Sequence, residues 1–354
     1  MREDDLLYKN LELVAPGTQL YEGLENILKA KTGALIVVGD SPEVLELVNG
    51  GFKIDAEMHP AALYELAKMD GAIVLSSDAK RILFANTQLT PDAMIPSYET
   101  GTRHRTAERV AKQTDQLVIS ISQRRNVITV YKSGWKYILR EVSVILAKAN
   151  QALSTLEKYR SVFQQSLINL SALEFEDLVT LADVTTVLQR SQMVSRIASE
   201  IERYVIQLGS EGRLVHMQLE ELMADIKDEG LLVFKDYFQL GGVNPLDVWA
   251  EIEEWDSEDL LDLSLMTKAL GYSASISSLE QSVTPRGYRI LAKIPRLPMP
   301  VIENLVKKFG NLSTVMEASI EELDDVEGIG EVRAKAIQEG LRRLREQVLV
   351  DRHL

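Results

Sequence analysis

The sequence predicts an α/β amino-terminal domain, a mixed sheet covered by helices, followed by an all-α spacer and a smaller all-α domain. Three observations predict it. Over residues 1–140, short apolar runs closed by turn residues alternate with stretches of helical spacing. Over 141–283, Leu, Ile, Val and Ala recur every three or four positions with few prolines and little strand pattern. Over 284–354, the proline-rich I-P-R-L-P-M-P (294–300) punctuates a series of short helices.

G-A-L-I-V-V-G-D (33–40) is an apolar run bounded by turn residues, the pattern of a buried strand. P-A-A-L-Y-E-L-A-K-M (60–69) has helical spacing and opens on proline, which suits a first turn. G-A-I-V-L-S-S-D (71–78) and R-I-L-F-A-N-T-Q-L (81–89) flank a polar turn at Asp78, Ala79 and Lys80. Q-L-V-I-S-I-S (116–122) and N-V-I-T-V-Y-K (126–132) flank Gln123, Arg124 and Arg125. Two hairpins with helices between them imply a mixed sheet. The spacer, typified by V-S-V-I-L-A-K-A-N-Q-A-L-S-T-L, leaves acidic helix faces to solvent. In the last segment a helix, V-I-E-N-L-V-K-K-F-G (301–310), precedes a capped S-I-E-E-L (319–323) and V-E-G-I-G-E-V-R-A-K-A-I-Q-E-G-L (326–341), a weak helix–turn–helix repetition.

Composition excludes several chemistries. With no cysteine among 354 residues there is no disulfide, thiolate zinc site or cysteine nucleophile, which suits a reducing, cytoplasmic setting. The four histidines (His59, His104, His216, His353) do not cluster, so a catalytic metal would sit on carboxylates and substrate phosphates, as magnesium or manganese does. No apolar run approaches the roughly 20 residues of a membrane span, and the start M-R-E-D-D-L-L lacks a signal-like stretch, so no membrane association is expected. The net charge of −14 is unevenly spread. Residues 1–140 hold 17 Lys and Arg against 18 Asp and Glu, residues 141–283 hold 10 against 24, and residues 284–354 hold 12 against 11. The excess acidity is all in the spacer, so the overall pI does not argue against nucleic acid at the tail.

Two motifs in the first segment carry chemistry. Asp70 and Gly71 stand between a predicted helix and a strand, where glycine allows a ligand close to the backbone; a plain turn also uses this pair. In G-T-R-H-R-T-A-E-R (101–109), Gly101 and Thr102 precede a helix whose first turn holds Arg103, His104 and Arg105. Helix amino-termini attract anions, because their first N–H groups are unpaired and the dipole end is positive. Three basic side chains there disfavour the helix unless an anion compensates them. A phosphate chain would; the alternative is a solvated basic turn paired with Glu99 or Glu108.

D-G-A (70–72) followed by G-T-R-H-R (101–105) resembles the signature pair of the diadenylate cyclase family, as do L-T-P-D (89–92) and the strand ending at Ser122. The helical middle and the tail resemble the DNA integrity scanning (DisA) branch of that family. The resemblance implies that two ATP are joined into cyclic di-AMP with release of two pyrophosphates. It implies that Asp70 is catalytic and touches the attacking 3′-hydroxyl and a Mg2+ or Mn2+ ion. Thr102, Arg103, His104, Arg105, Thr106 and Ser122 would hold the triphosphate, Gly71 would admit the nucleotide, and Leu89 would offer its main chain to adenine. Gln123 stands where a more basic neighbour is expected and is left out of the site. The resemblance also implies a homo-octamer in which two rings of four face each other.

V-E-G-I-G-E-V (326–332) resembles the hairpin of a helix-hairpin-helix DNA-binding element. Gly328 and Gly330 leave backbone N–H groups open to a phosphate, and Arg333 and Lys335 add positive charge. Such contacts imply sequence-independent binding of double-stranded or branched DNA that weakens with salt. The earlier R-L-P-M-P (296–300) resembles a second hairpin without glycines, read as structural because proline supplies no N–H. The resemblance implies a DNA-sensing cyclase whose synthesis is suppressed by damaged or branched DNA. The rival reading is a DNA-junction module that binds nucleotide only as a ligand.

Overall fold

Each strand expected between residues 33 and 132 forms in the computed structural model, which describes residues 10–224, 226, 228–273 and 276–351; His353 lies outside them. The chain divides into two units, one of Met1–Gln151 with Ile201–Met217, the other of Ala152–Glu200 with Gln218–Leu354.

The first unit is built on eight strands: β1 (Ala34–Val38), β2 (Val48–Asn49), β3 (Phe52–Glu57), β4 (Ala72–Leu75), β5 (Arg81–Leu89), β6 (Leu117–Ser122), β7 (Val127–Lys132) and β8 (Trp135–Ile138). Their order is β2-β5-β4-β1-β6-β7-β8, with β3 also paired to β5. Only β1 and β4 are parallel; every other pairing is antiparallel, so the sheet is mixed.

The central strand is apolar throughout because both its faces are covered. Ala34, Ile36 and Val38 pack on one side with Leu20, Leu24 and Ile27 of the helix Gln19–Lys29 and Leu63 of the helix Pro60–Leu66. Leu35 and Val37 pack on the other with Val44 of Pro42–Glu46 and with Ala107, Val110 and Ala111 of Thr102–Thr114. Strands β2, β3 and β8 were not legible. β3 is mostly exposed, Phe52 included, and its register against β5 slips between Lys53 and Ala56, so no alternation marks it.

The second unit contains most of two long helices, Val142–Glu176 and Leu181–Leu208, followed by shorter ones that include Glu229–Tyr237. The tail comprises Tyr288–Ala292, Met299–Phe309, Leu312–Glu317, Ile320–Asp324 and Glu331–Asp351, which share one apolar core with Phe175. A buried polar network ties this tail to the spacer helices. Arg289, fully buried, donates to Glu174 and, at 3.0 Å, to the Ser171 hydroxyl. Tyr237 Oη donates to the other oxygen of Glu174 at 2.8 Å. Asp236, also fully buried, accepts the backbone N–H groups of Gly287, Tyr288 and Arg289 at 2.7, 2.6 and 3.1 Å. Among the described residues no helix is long and apolar enough to cross a membrane.

Candidate active site and hairpin tail

The strand order gathers the candidate residues of the first unit at one end of the sheet. Because β1 and β4 are parallel, both begin there; β5 and β6, antiparallel to them, both finish there. Across that end lie Leu89 at the close of β5, Asp70 and Gly71 just before β4, Gly33 just before β1, and Ser122 at the close of β6.

Each position has its own local reason. Gly71 has φ +89°, and a Cβ there would stand 2.7 Å from the Thr87 carbonyl oxygen. Its glycine is therefore required by the crossing of β5, with Asp70 left exposed beside it. Leu89 is buried in the core, which leaves only its main chain for a ligand. Ser122 is half-buried, and its hydroxyl accepts the Arg125 N–H at 3.2 Å, closing the β6–β7 turn.

The helix Thr102–Thr114 begins at the same end. Gly101 is its N-cap and has no side chain to satisfy the first turn, whose first helical bond is Arg105 N–H to the Gly101 carbonyl at 2.9 Å. The N–H groups of Thr102, Arg103 and His104 are left for an anion. The Arg103 guanidinium occupies the space where Gly33 lacks a side chain. Arg105 is exposed and Thr106 half-buried. Among the described residues Arg103, Arg105, Arg124 and Arg125 have no carboxylate within ion-pair distance; Arg105 Nε instead donates to the Glu99 main-chain carbonyl at 3.3 Å. Glu108 instead holds Lys112 at 2.7 Å, and Glu99 holds Lys136.

His104 is the most constrained member. Its Nδ1 is 2.9 Å from Tyr131 Oη, and Tyr131 donates to Glu99 at 3.0 Å. Burial opposes ionisation of Glu99, yet Lys136 and Tyr131 outweigh it and hold the carboxyl below its usual range. An ionised Glu99 only accepts, so Tyr131 must donate to it, and His104 Nδ1–H must donate to Tyr131. Nε2 therefore carries the lone pair of a neutral ring, and it is buried without a partner. Burial first, then the nearby Arg125, Lys136 and Arg103 charges, outweigh the pull of Glu99 and lower the His104 pKa from 6.5. Gly33, Glu99, Tyr131, Lys136 and Arg125 thus belong to the surroundings of the site. Arg125 was named only in the turn between β6 and β7 and Glu99 only as a possible partner of the basic turn; Gly33, Tyr131 and Lys136 were not singled out by sequence, and Tyr131 looked like any strand residue.

Among the described residues no group of three or more His, Asp or Glu could hold a metal. A divalent ion at Asp70 would draw its other ligands from substrate phosphates and water, which is how magnesium is commonly held. The donor set fits that arrangement.

In the tail, Gly328 and Gly330 sit in the turn between Ile320–Asp324 and Glu331–Asp351. Gly328 has φ +87°. Arg333 reaches back to donate to the Gly328 carbonyl, while Lys335 pairs along its own helix with Glu331 at 2.6 Å. Arg333 therefore joins the hairpin and Lys335 is partly neutralised. An earlier turn, between Tyr288–Ala292 and Met299–Phe309, repeats this geometry, so the weak repetition of the sequence is a structural one.

Comparison with known proteins bears on the chain as a whole. Residues 21–135 match the family model for the DisA bacterial checkpoint controller nucleotide-binding region, and residues 139–279 match the model for the DisA bacterial checkpoint controller linker region. The chain is 64% identical over 346 residues to DNA integrity scanning protein DisA of Carboxydothermus hydrogenoformans, covering 98% of each chain. It is 57% identical over 352 residues to the protein of that name from Clostridium botulinum, covering 99% of each. A solved structure of DacA from Staphylococcus aureus is 21% identical, covers 40% of this chain and 91% of the other, and superposes with a TM-score of 0.30, too loosely to carry a residue correspondence.

Proposed function

The chain belongs to the DisA family of diadenylate cyclases, and from that premise we propose that the sheet end bearing Asp70 and the Thr102 helix condenses two ATP into cyclic di-AMP. The single observation that carries this is the convergence of Asp70, Arg103 and Ser122 on one sheet end beside an uncapped helix amino-terminus. Three unpaired first-turn N–H groups, the unpartnered Arg103, and Arg105, which donates only its Nε to the Glu99 carbonyl at 3.3 Å, suit a triphosphate, arginine giving bidentate contacts.

The 3′-hydroxyl of one ATP attacks the α-phosphorus of the other; the new P–O bond forms as the bond to pyrophosphate breaks, and the same exchange in the opposite sense closes the ring. Asp70 orients the hydroxyl and accepts its proton, and the cationic first turn stabilises charge on the departing pyrophosphate. A bound Mg2+ or Mn2+ would supply further neutralisation of phosphoryl charge.

One protomer presents one ATP and one hydroxyl, so a two-fold pair of facing protomers within an octamer supplies both bonds. Supporting this, Tyr98 is 93% exposed on the loop that leads into Gly101, directly before Glu99 of the site, an apolar ring that a facing subunit would cover. The second unit's tail binds duplex or branched DNA through phosphates and suppresses synthesis. Incubating the purified chain with ATP and either metal, then resolving the products by mass spectrometry, tests the reading. Cyclic di-AMP is expected from the wild type. Asp70→Asn is expected to bind a non-hydrolysable ATP analogue yet form no product; normal synthesis by it would overturn the role of Asp70.

A further inference from the structure

Arg296 occupies the place in the first hairpin of the tail that Gly328 occupies in the second. Its φ is +64°, against +87° at Gly328. Leu297 N–H bonds to the Ile294 carbonyl at 3.3 Å, as Ile329 N–H bonds to that of Val326 at 3.0 Å. Ile294 and Leu297 are buried as Val326 and Ile329 are, and Arg296 is exposed as Gly328 is. Glycine would hold this left-handed turn with less strain, so the backbone does not account for an arginine there.

The two hairpins offer a phosphate different things. In the second, Gly330, Glu331, Val332 and Arg333 have no backbone acceptor among the described residues, the first helical bond being Ala334 N–H to Gly330. In the first, Pro298 and Pro300 have no N–H, and Val301 N–H is already bonded to the Pro298 carbonyl at 3.0 Å. Charge runs the other way. Residues 284–302 contain four basic and no acidic side chains, whereas residues 310–331 contain seven acidic and no basic ones. Of those four cations, Arg289 is buried on Glu174, Lys293 faces Glu229 at 3.7 Å, and Arg286 donates to the Phe238 carbonyl at 2.5 Å. Arg296 alone among them is exposed and has no partner among the described residues.

We propose that Arg296 is a second DNA-phosphate contact, its guanidinium doing at the first hairpin what free amides do at the second. The inference rests on the reading that the tail binds DNA. It makes the tail a two-phosphate grip whose halves work by different chemistry, one by side-chain charge and one by backbone donors.

The test uses the full chain, a fluorescent four-way DNA junction and a salt series, with wild type, Arg296→Gly, Arg296→Lys and Gly330→Val compared by anisotropy. Arg296→Gly relieves the turn, so its melting temperature should hold or rise. Its DNA affinity should fall about five- to ten-fold, and its salt slope should shrink by about one. Arg296→Lys should keep the slope. An Arg296→Gly chain with wild-type affinity and slope, alongside a weakened Gly330→Val, overturns the Arg296 assignment alone. A wild-type chain that does not bind the junction overturns the DNA-binding reading and this inference with it.

Discussion

Arg103 lies across Gly33: its guanidinium fills the space that any side chain at Gly33 would occupy. Gly33 opens β1, so the absence of one side chain at the sheet end positions a cation of the neighbouring helix. Gly33→Ala should displace Arg103 without disturbing the core, because the obstructing atoms are the far end of a flexible side chain. A charge-assisted phosphate contact is worth about 1.5–3 kcal/mol, so kcat/KM for ATP should fall roughly 10- to 100-fold. The melting temperature should stay near the wild-type value. Unchanged kinetics in a folded variant would remove Arg103 from the phosphate grip.

His104 yields a prediction about protons. Its Nδ1–H is committed to Tyr131, so Nε2 can donate to a phosphate only when the ring is protonated. The free site has a lowered pKa, so the ring starts neutral at neutral pH. An anion at Nε2 raises that pKa, and binding then takes up a proton between the free and bound values. Affinity for a non-hydrolysable ATP analogue should therefore rise as pH falls through this window. Titration calorimetry in buffers of different ionisation enthalpy should show proton uptake, and His104→Gln should abolish it. Proton uptake that persists in His104→Gln assigns the effect to another group.

The two glycines of the second hairpin are not equivalent. A Cβ at Gly328 would be strained by its φ and stand 3.2 Å from Val301, whereas a Cβ at Gly330 has 4.0 Å to its nearest neighbour, Asp324. Gly330→Val should therefore cover the free amides at little structural cost. DNA binding should drop by at least about ten-fold, on the scale of a lost hydrogen bond to charge, and basal cyclic di-AMP synthesis should be unchanged. Equal DNA affinity would move the phosphate contact away from this turn.

Arg289 holds the tail to the spacer by charge. Replacing it with Met leaves Glu174 and Asp236 buried without their cation, which costs about 3–5 kcal/mol. Burial, then Glu174, already push the Asp236 carboxyl up to about 7 against the pull of Arg289. A raised carboxyl favours the folded state when protonated, and that contribution is lost as pH rises from the unfolded value, about 3.9, through about 7. Without Arg289 the Asp236 carboxyl shifts further up, so the melting temperature of Arg289→Met should fall below wild type by more at pH 8 than at pH 5. A pH-independent difference would show that the carboxylates are not the source.

The sheet end was legible because its residues sit at strand limits that turn chemistry marks: Asp70-Gly71, Ser122 and the Gly101 cap. What was not legible depends on contacts between elements. Gly33 and Arg103 are seventy residues apart in the chain, and nothing local says that one makes room for the other. The path from His104 through Tyr131 to Glu99 joins a helix, a strand and a loop. Arg289 and Asp236 read as an ordinary basic and an ordinary acidic residue until folding buries them together. The first hairpin was read as structural from its prolines, and the left-handed φ of Arg296 could not be seen in a dipeptide that lacks glycine.

The remaining prediction concerns the facing pair. If each cyclic product needs two competent protomers, an Asp70→Asn subunit disables the subunit it faces. When wild-type and mutant chains assemble at random with wild-type fraction f, activity per total protein should fall as the square of f. A protomer working alone gives a line instead. Mixed pairs can form one phosphodiester bond and release a linear dinucleotide, so that species should be greatest at intermediate mixing, when mixed pairs are most abundant. The chains must be co-expressed, or exchanged through dissociation, because preformed assemblies mixed afterwards give a line whatever the mechanism. Native mass spectrometry of the mixed oligomers establishes that exchange was random. A second arm uses Tyr98→Asp, which places charge on the 93% exposed ring beside the site. If that ring is covered by the facing subunit, burial of an unpaired carboxylate should split the pair and lower synthesis, while a single protomer still binds the ATP analogue. Linear dependence in verified mixtures, together with a Tyr98→Asp chain of full activity, would remove the two-fold site and leave each protomer to close both bonds alone.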